Sequence, residues 1–176
     1  MGFREKLSTD TVTYAFLNTV LSSLVSKNYV GVLFCDLQKA FNCIIHDILL
    51  TKMKFYGITG IDHNLIRSYL ASRYQRTRIN KTSTWECVNH GVPQGSVLGS
   101  LLFLIYINDF PSAINKLDSS VLFADDTSIS ISNTNLEEFK NSTILVMNEI
   151  IEWFQSNLLS LNCNKTTFLQ FITKKK

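Results

Sequence analysis

The sequence predicts an α+β domain, a small antiparallel sheet with helices packed on one face. Three observations carry this. Short apolar runs rich in strand formers, Tyr29 to Cys35 and Thr167 to Ile172, stand apart from segments whose apolar residues recur at helical spacing. Two further runs, Val121 to Ala124 and the one resuming at Ile129 and Ile131, flank Asp125-Asp126-Thr-Ser, whose residues favour a turn, so they form a β-hairpin. The resulting order is helix, strand, helices, hairpin, helix, hairpin, helix, strand, which suits a layered α+β arrangement. A chain of 176 residues that is 45% hydrophobic is sized for one domain with a core of its own.

Each element has a local cause. Ser8-Thr9-Asp10 offers caps for a helix striped by Val12, Phe16, Val20 and Leu24, ending near Lys27-Asn28. Tyr29 to Asp36 is a nearly continuous apolar run and reads as a strand buried on both faces. A helical region begins at Lys39-Ala-Phe, repeats through Ile45, Leu49 and Met53, and stops at Gly57. A second helix spans Asp62 to Ala71. Residues around Tyr74, Arg76 and Arg78 pair with Trp85 to Asn89 through a turn at Asn80-Lys-Thr-Ser. Gly91-Val-Pro-Gln-Gly-Ser is an ordered loop, after which a helix opens at Ser96 or Val97 and stays apolar on nearly every side to Ile107. Its N-terminal N–H groups suit a phosphate. Leu136, Phe139, Val146, Ile150 and Trp153 mark a long amphipathic helix to about Asn157. A turn at Leu161 to Lys165 leads into the last strand.

Charge is local rather than global, since the formal net charge is only +3. Arg67, Arg73, Arg76, Arg78 and Lys81 fall in one stretch without an acid, interleaved with Tyr69 and Tyr74. That pattern suits a nucleic-acid backbone, with cations on phosphate and rings on bases or sugars; the competing reading is a solvated basic face. Cys35, Cys43, Cys87 and Cys163 have no metal-like spacing and read as reduced core residues. The longest apolar run, Val97 to Ile107, is far short of the ~20 residues that cross a bilayer, and Arg4-Glu5-Lys6 does not begin a signal peptide. The chain is therefore expected to be intracellular, in nucleus or cytoplasm, without a membrane partner.

Three carboxylates are the candidate chemistry. Asp125 and Asp126 adjoin, and like charges side by side repel unless a cation holds them. Asp36 ends a strand buried on both faces, so its carboxylate must emerge at the strand's C-terminal end, where it can share a site with the hairpin. Such a trio suits two Mg²⁺ ions about 3.5–4 Å apart, clamping the attacking and leaving oxygens of a phosphoryl transfer.

Five blocks, in order, resemble the reverse transcriptases of non-LTR (LINE-type) retrotransposons: Gly2-Phe-Arg4 with Ser8-Thr9, Phe34-Cys-Asp-Leu-Gln-Lys-Ala-Phe41, Gly91-Val-Pro-Gln-Gly-Ser-Val-Leu-Gly99 with Leu101 to Asp109, Phe123-Ala-Asp-Asp126, and Leu161-Asn-Cys-Asn-Lys-Thr166. The resemblance covers essentially the whole chain. It implies a polymerase palm with a ferredoxin/RRM-like core over residues 1–173, fingers incomplete, thumb absent, and a basic tail at 174–176. It implies an RNA-directed DNA polymerase that uses two Mg²⁺ ions, with Mn²⁺ as a substitute, and takes an RNA template, a DNA primer and dNTP. Asp36, Asp125 and Asp126 would be the catalytic, metal-binding acids. Phe41 would lie under the sugar of the incoming nucleotide and collide with a 2′-OH, Gln94 and Gly95 would border nucleotide and template base, and Lys165 would meet the leaving pyrophosphate. Arg4 would reach a phosphate.

The chain departs from the family pattern at Asn42, where aspartate is usual, and at Ser100, where proline is common. Starting at the Gly-Phe-Arg block, it is expected to lack upstream finger segments, and to stop before a thumb or endonuclease. The alternative is thus a truncated, inactive retroelement remnant that at most binds nucleic acid or a partner. An inert RRM-like RNA binder would need aromatics on the open sheet face, where acids stand instead.

Overall fold

A computed structural model of the chain describes residues 9–93, 95–114, 119–123 and 126–171, with the backbone alone for 9, 11, 12, 119–123 and 126. In chain order the elements are α1 (Thr9–Val25), β1 (Tyr29–Cys35), a 3-10 turn (Ala40–Asn42), α2 (His46–Phe55), α3 (Gly60–Leu70), β2 (Tyr74–Gln75) and β3 (Glu86–Cys87). They continue with α4 (Val97–Ile107), α5 (Phe110–Ala113), β4 (Ser119–Phe123), β5 (Asp126–Asn133), α6 (Leu136–Ser156) and β6 (Thr167–Phe171). The chain divides into two compact units, Met1–Gln38 with Asp109–Lys176, and Lys39–Asn108.

The first unit holds a four-stranded antiparallel sheet in the order β4-β5-β1-β6. β1 is central, and its apolar run needs cover on both faces. Val30 and Val32 pack with Val20, Phe16 and Leu24 of α1 and with Phe171. Gly31 points to the opposite face, where a Cβ would come 2.9 Å from Phe139 of α6 and 2.5 Å from Phe168. Helices therefore cover both faces of the sheet, α1 on one and α6 on the other, and the expectation of helices on one face is corrected. The cause is β1 itself, which has no polar face to offer water. α6 is capped by Asn135, whose Oδ1 accepts from the N–H groups of Glu137 and Glu138. Its inner face brings Trp153 and Phe154 against Phe110 of α5, at ring separations of 4.8 and 5.2 Å. α5 has no counterpart in the sequence reading.

The hairpin differs from expectation. β4 and β5 pair from Phe123↔Asp126 onward, so Asp126, Thr127 and Ser128 belong to the strand rather than to a turn. Their turn propensity is overridden because β5 pairs on its other side with β1, from Cys35↔Thr127 to Tyr29↔Asn133.

In the second unit α2 begins at His46, not at Lys39. Lys39 has a left-handed backbone (φ 50°), and Ile45 is extended and bridges to His90, so the stretch between is a 3-10 turn instead of a helix. Gly57, with φ 83°, ends the region after α2 as expected. The hairpin β2–β3 carries a bridge between Arg78 and Thr82, which places its turn at Ile79-Asn80-Lys81 instead of Asn80-Lys-Thr-Ser. α4 starts at Val97 with Ser96 as its cap, the hydroxyl accepting from the Gly99 N–H at 2.9 Å. Its inner residues Leu102, Phe103, Tyr106 and Ile107 are buried, but Val97, Leu98 and Leu101 are exposed, so it is not enclosed on every side. Ser100 is accommodated in its early turns. All four cysteines are free; burial pushes the Cys35 thiol up to about 12, whereas Cys87 and Cys163 are exposed rather than core residues. No helix among the described residues is long and apolar enough to cross a membrane.

Candidate functional site

The apolar cover of β1 runs out at its C-terminal end. Val30 and Val32 are fully buried, Phe34 on the same face is exposed, and Asp36 follows with its side chain 22% exposed. Phe34, Cys35, Asp36, Thr127, Ser128 and Lys165 line an open cleft of ≈ 420 Å³ there. The register that ends at Cys35↔Thr127 makes Asp36 and Asp126 the next pair of positions. Two of the three sequence-derived acids are therefore brought to adjacent backbone positions. Asp125 lies outside the described residues, as do Arg4, Gln94 and the tail at 174–176.

The turn before β6 docks on this strand end through its backbone. Ser160 O accepts from the Gln38 N–H at 2.9 Å, Leu161 bridges Leu37, and the Asn162 N–H donates to Asp36 O at 2.8 Å. Two side chains of this turn reach the carboxylate. Asn162 Nδ2 donates to Asp36 Oδ2 at 2.9 Å, and Lys165 Nζ stands 3.7 Å from the same oxygen. Lys165 was singled out by the sequence; Asn162 was not, although it lies in the same quoted block.

The donor chemistry fits a hard divalent cation. Asp36 supplies carboxylate oxygen at an open strand end, the donor type that such an ion takes, and among the described residues lining the cleft there is no imidazole. Among the described residues no three His, Cys, Asp or Glu side chains come together. The side chains of Asp125 and Asp126 are not among those described.

In the second unit the loop at Gly91-Val92-Pro93 is fixed by backbone and side chains together. Gly91 N–H donates to Ile44 O at 2.7 Å and Val92 N–H to Phe41 O at 2.8 Å. Gly91 O accepts from Arg73 Nη2 at 3.4 Å and lies 2.9 Å from His46 Nε2. Gly91 is required twice over, by φ 79° and because a Cβ would come 2.9 Å from the Asn42 backbone. Gly95 also has a left-handed backbone, φ 81°, with open space around it. Phe41 is half-buried and packs its ring on Phe103 at 5.0 Å, so it is a packing aromatic whatever else it does. A cleft of ≈ 600 Å³ here is lined by Lys39, Asn42, Arg73, Gln75, His90 and the Gly91–Pro93 loop among others, with no carboxylate in its wall. Lys39 and His90 were not foreseen as lining residues.

The basic stretch separates into three places. Arg67 lies exposed on α3; Arg73 turns toward Gly91; Arg76, Arg78 and Lys81 are exposed on the β2–β3 hairpin. Arg76 stacks over the exposed Trp85, 4.5 Å from the ring centroid, so this hairpin carries an internal cation–ring pair at its surface.

The sequence pattern of the reverse transcriptase (RNA-dependent DNA polymerase) family matches residues 1–175. The chain belongs to this family. It is 29% identical over 178 residues to a probable RNA-directed DNA polymerase from transposon BS of Drosophila melanogaster, a match covering 94% of this chain and 19% of that protein. It is 30% identical over 177 residues to the RNA-directed DNA polymerase from mobile element jockey of Drosophila funebris, covering 97% and 19%. This reverse transcriptase chain thus spans about a fifth of the length of the curated relatives it matches. In fold it is similar to apo telomerase from Candida tropicalis truncated from its C-terminal domain, with a TM-score of 0.69 at 14% identity, covering 96% of this chain and 36% of that one.

Proposed function

We propose that this chain is the polymerase palm, with part of the fingers, of a retroelement RNA-directed DNA polymerase, adding dNTP to a primer 3′-OH on an RNA template. The observation that carries the reading is the position of Asp36, at the open end of the central strand and at the register position opposite Asp126. Residues 1–173 form this palm domain, with a ferredoxin/RRM-like sheet as its core, and 174–176 a basic tail.

Asp36, Asp125 and Asp126 would hold two Mg²⁺ ions, with Mn²⁺ as a substitute. When bound, the metal supplies a more acidic 3′-OH and neutralises charge on the pyrophosphate. The other residues bind and orient. Lys165, an exposed cation beside Asp36, meets the leaving pyrophosphate. Phe41, braced by Phe103, supports the sugar and excludes a 2′-OH. Gln94 and Gly95 border the nucleotide, glycine allowing close approach. Arg67, Arg76, Arg78 and Lys81 neutralise phosphates of the strand, and Trp85 and Tyr74 offer exposed rings for stacking. Arg73, donating to Gly91, holds the loop and adds positive charge to the cleft beside it.

Primer extension by this chain on poly(rA)·oligo(dT) with dTTP tests the reading. Incorporation that needs Mg²⁺ or Mn²⁺ is the expected result. Absence of incorporation at every metal and protein concentration would instead favour a remnant that only binds nucleic acid.

A further inference from the structure

Resting on the metal-centre reading above, we infer that Asn162 is a positioning residue for Asp36, its amide orienting the carboxylate for a divalent cation while Lys165 opposes that cation. Both groups act on one oxygen, Oδ2: the amide nitrogen at 2.9 Å and the ammonium at 3.7 Å. They differ in charge, and that difference separates their effects. A neutral amide donor fixes the carboxylate's rotation and leaves its negative charge for a cation. An ammonium at the same oxygen spends part of that charge, so a divalent cation arriving at Asp36 meets like-charge repulsion from Lys165.

The turn that carries both residues does not depend on either side chain. It is docked by the Gln38 N–H to Ser160 O bond, by the Leu37↔Leu161 bridge and by Asn162 N–H to Asp36 O. It closes on itself through Asn162 O, which accepts from Lys165 N–H at 3.0 Å and Thr166 N–H at 2.8 Å. Truncating the Asn162 side chain therefore leaves the backbone docking in place and removes only the hold on Oδ2. Groups that hydrogen-bond a metal-binding carboxylate typically change metal affinity by roughly 10–100-fold when removed. Lys165 is 70% exposed and screened by water, so its opposing effect is smaller.

The test is Mn²⁺ binding by electron paramagnetic resonance on the whole chain, without template or nucleotide, with thermal melting as the check on folding. Asn162→Ala is expected to weaken Mn²⁺ binding by about tenfold or more, and Asn162→Gln, which keeps an amide donor, to recover part of the loss. Lys165→Ala is expected to tighten binding about two- to fivefold. A merely structural Asn162 would lower the melting temperature and leave the Mn²⁺ affinity alone. Binding by Asn162→Ala within about twofold of the parent, or weaker binding by Lys165→Ala, overturns the inference while leaving the metal centre standing. Failure of the parent chain to bind Mn²⁺ overturns both. Should alanine unfold the chain, Asn162→Ser, whose hydroxyl is too short to reach Oδ2, is held to the same criterion.

Discussion

Asp36→Asn is expected to lower metal-dependent primer extension by about three orders of magnitude, because a metal at a transferring phosphoryl group contributes several kcal/mol and each 1.36 kcal/mol is tenfold. The substitution keeps the shape of the side chain and removes its charge. It also leaves the backbone contacts of position 36 intact, since Asn162 N–H donates to the main-chain oxygen and not to the carboxylate. The melting temperature should accordingly stay close to the parent's while activity collapses. A variant that extends primers at the parent rate would show that the open end of β1 is not the catalytic centre. Joint loss of folding and activity would show instead that the carboxylate serves the fold.

The largest effect on stability is expected from Phe110→Ala. Phe110 is 1% exposed, stacks on Phe154 at 5.2 Å and meets Trp153 edge-on at 4.8 Å, joining α5 to α6 within the sheet-bearing unit. Removing a buried ring of this kind typically costs 3–5 kcal/mol, because the transfer term is lost and the cavity between Trp153 and Phe154 closes only in part. For a chain of this size that corresponds to a fall in melting temperature on the order of 10 °C. Circular dichroism melting reads it directly, and a melting temperature within a degree or two of the parent would mean that α5 does not anchor α6.

How much of this was legible in the sequence depends on whether the cause was local. Asp36 could be placed because a strand apolar on both faces has to surface before it can carry a charge, and it does so at the cleft. The opening of α4 at Ser96 or Val97 and the stop at Gly57 were equally readable, since a hydroxyl three residues before Gly99 and a glycine at φ 83° act within a few residues. The start of β5 was not. Asp126, Thr127 and Ser128 have turn chemistry, and they are held extended by pairing with β4 and, for Thr127 and Ser128, with β1 some ninety positions earlier. The 3-10 turn before α2 was hidden for the same reason: Ile45 fits the helical repeat but is held extended by its bridge to His90. Asn162 was missed as an individual residue although its block was recognised, because its side-chain bond to Asp36 spans 126 positions and leaves no spacing to read.

Paramagnetic line broadening on titrating Mn²⁺ into the ¹⁵N-labelled chain tests the central claim most directly. If Asp36 and its register neighbour Asp126 hold the metal, the amides of Asp36, Leu37, Thr127, Ser128 and Asn162 should broaden first, while those at the far end of the same two strands, Tyr29 and Asn133, stay sharp. Broadening that begins elsewhere, at the exposed acids Glu137 and Glu138 or at Asp62, or that spreads evenly along the chain, would contradict it.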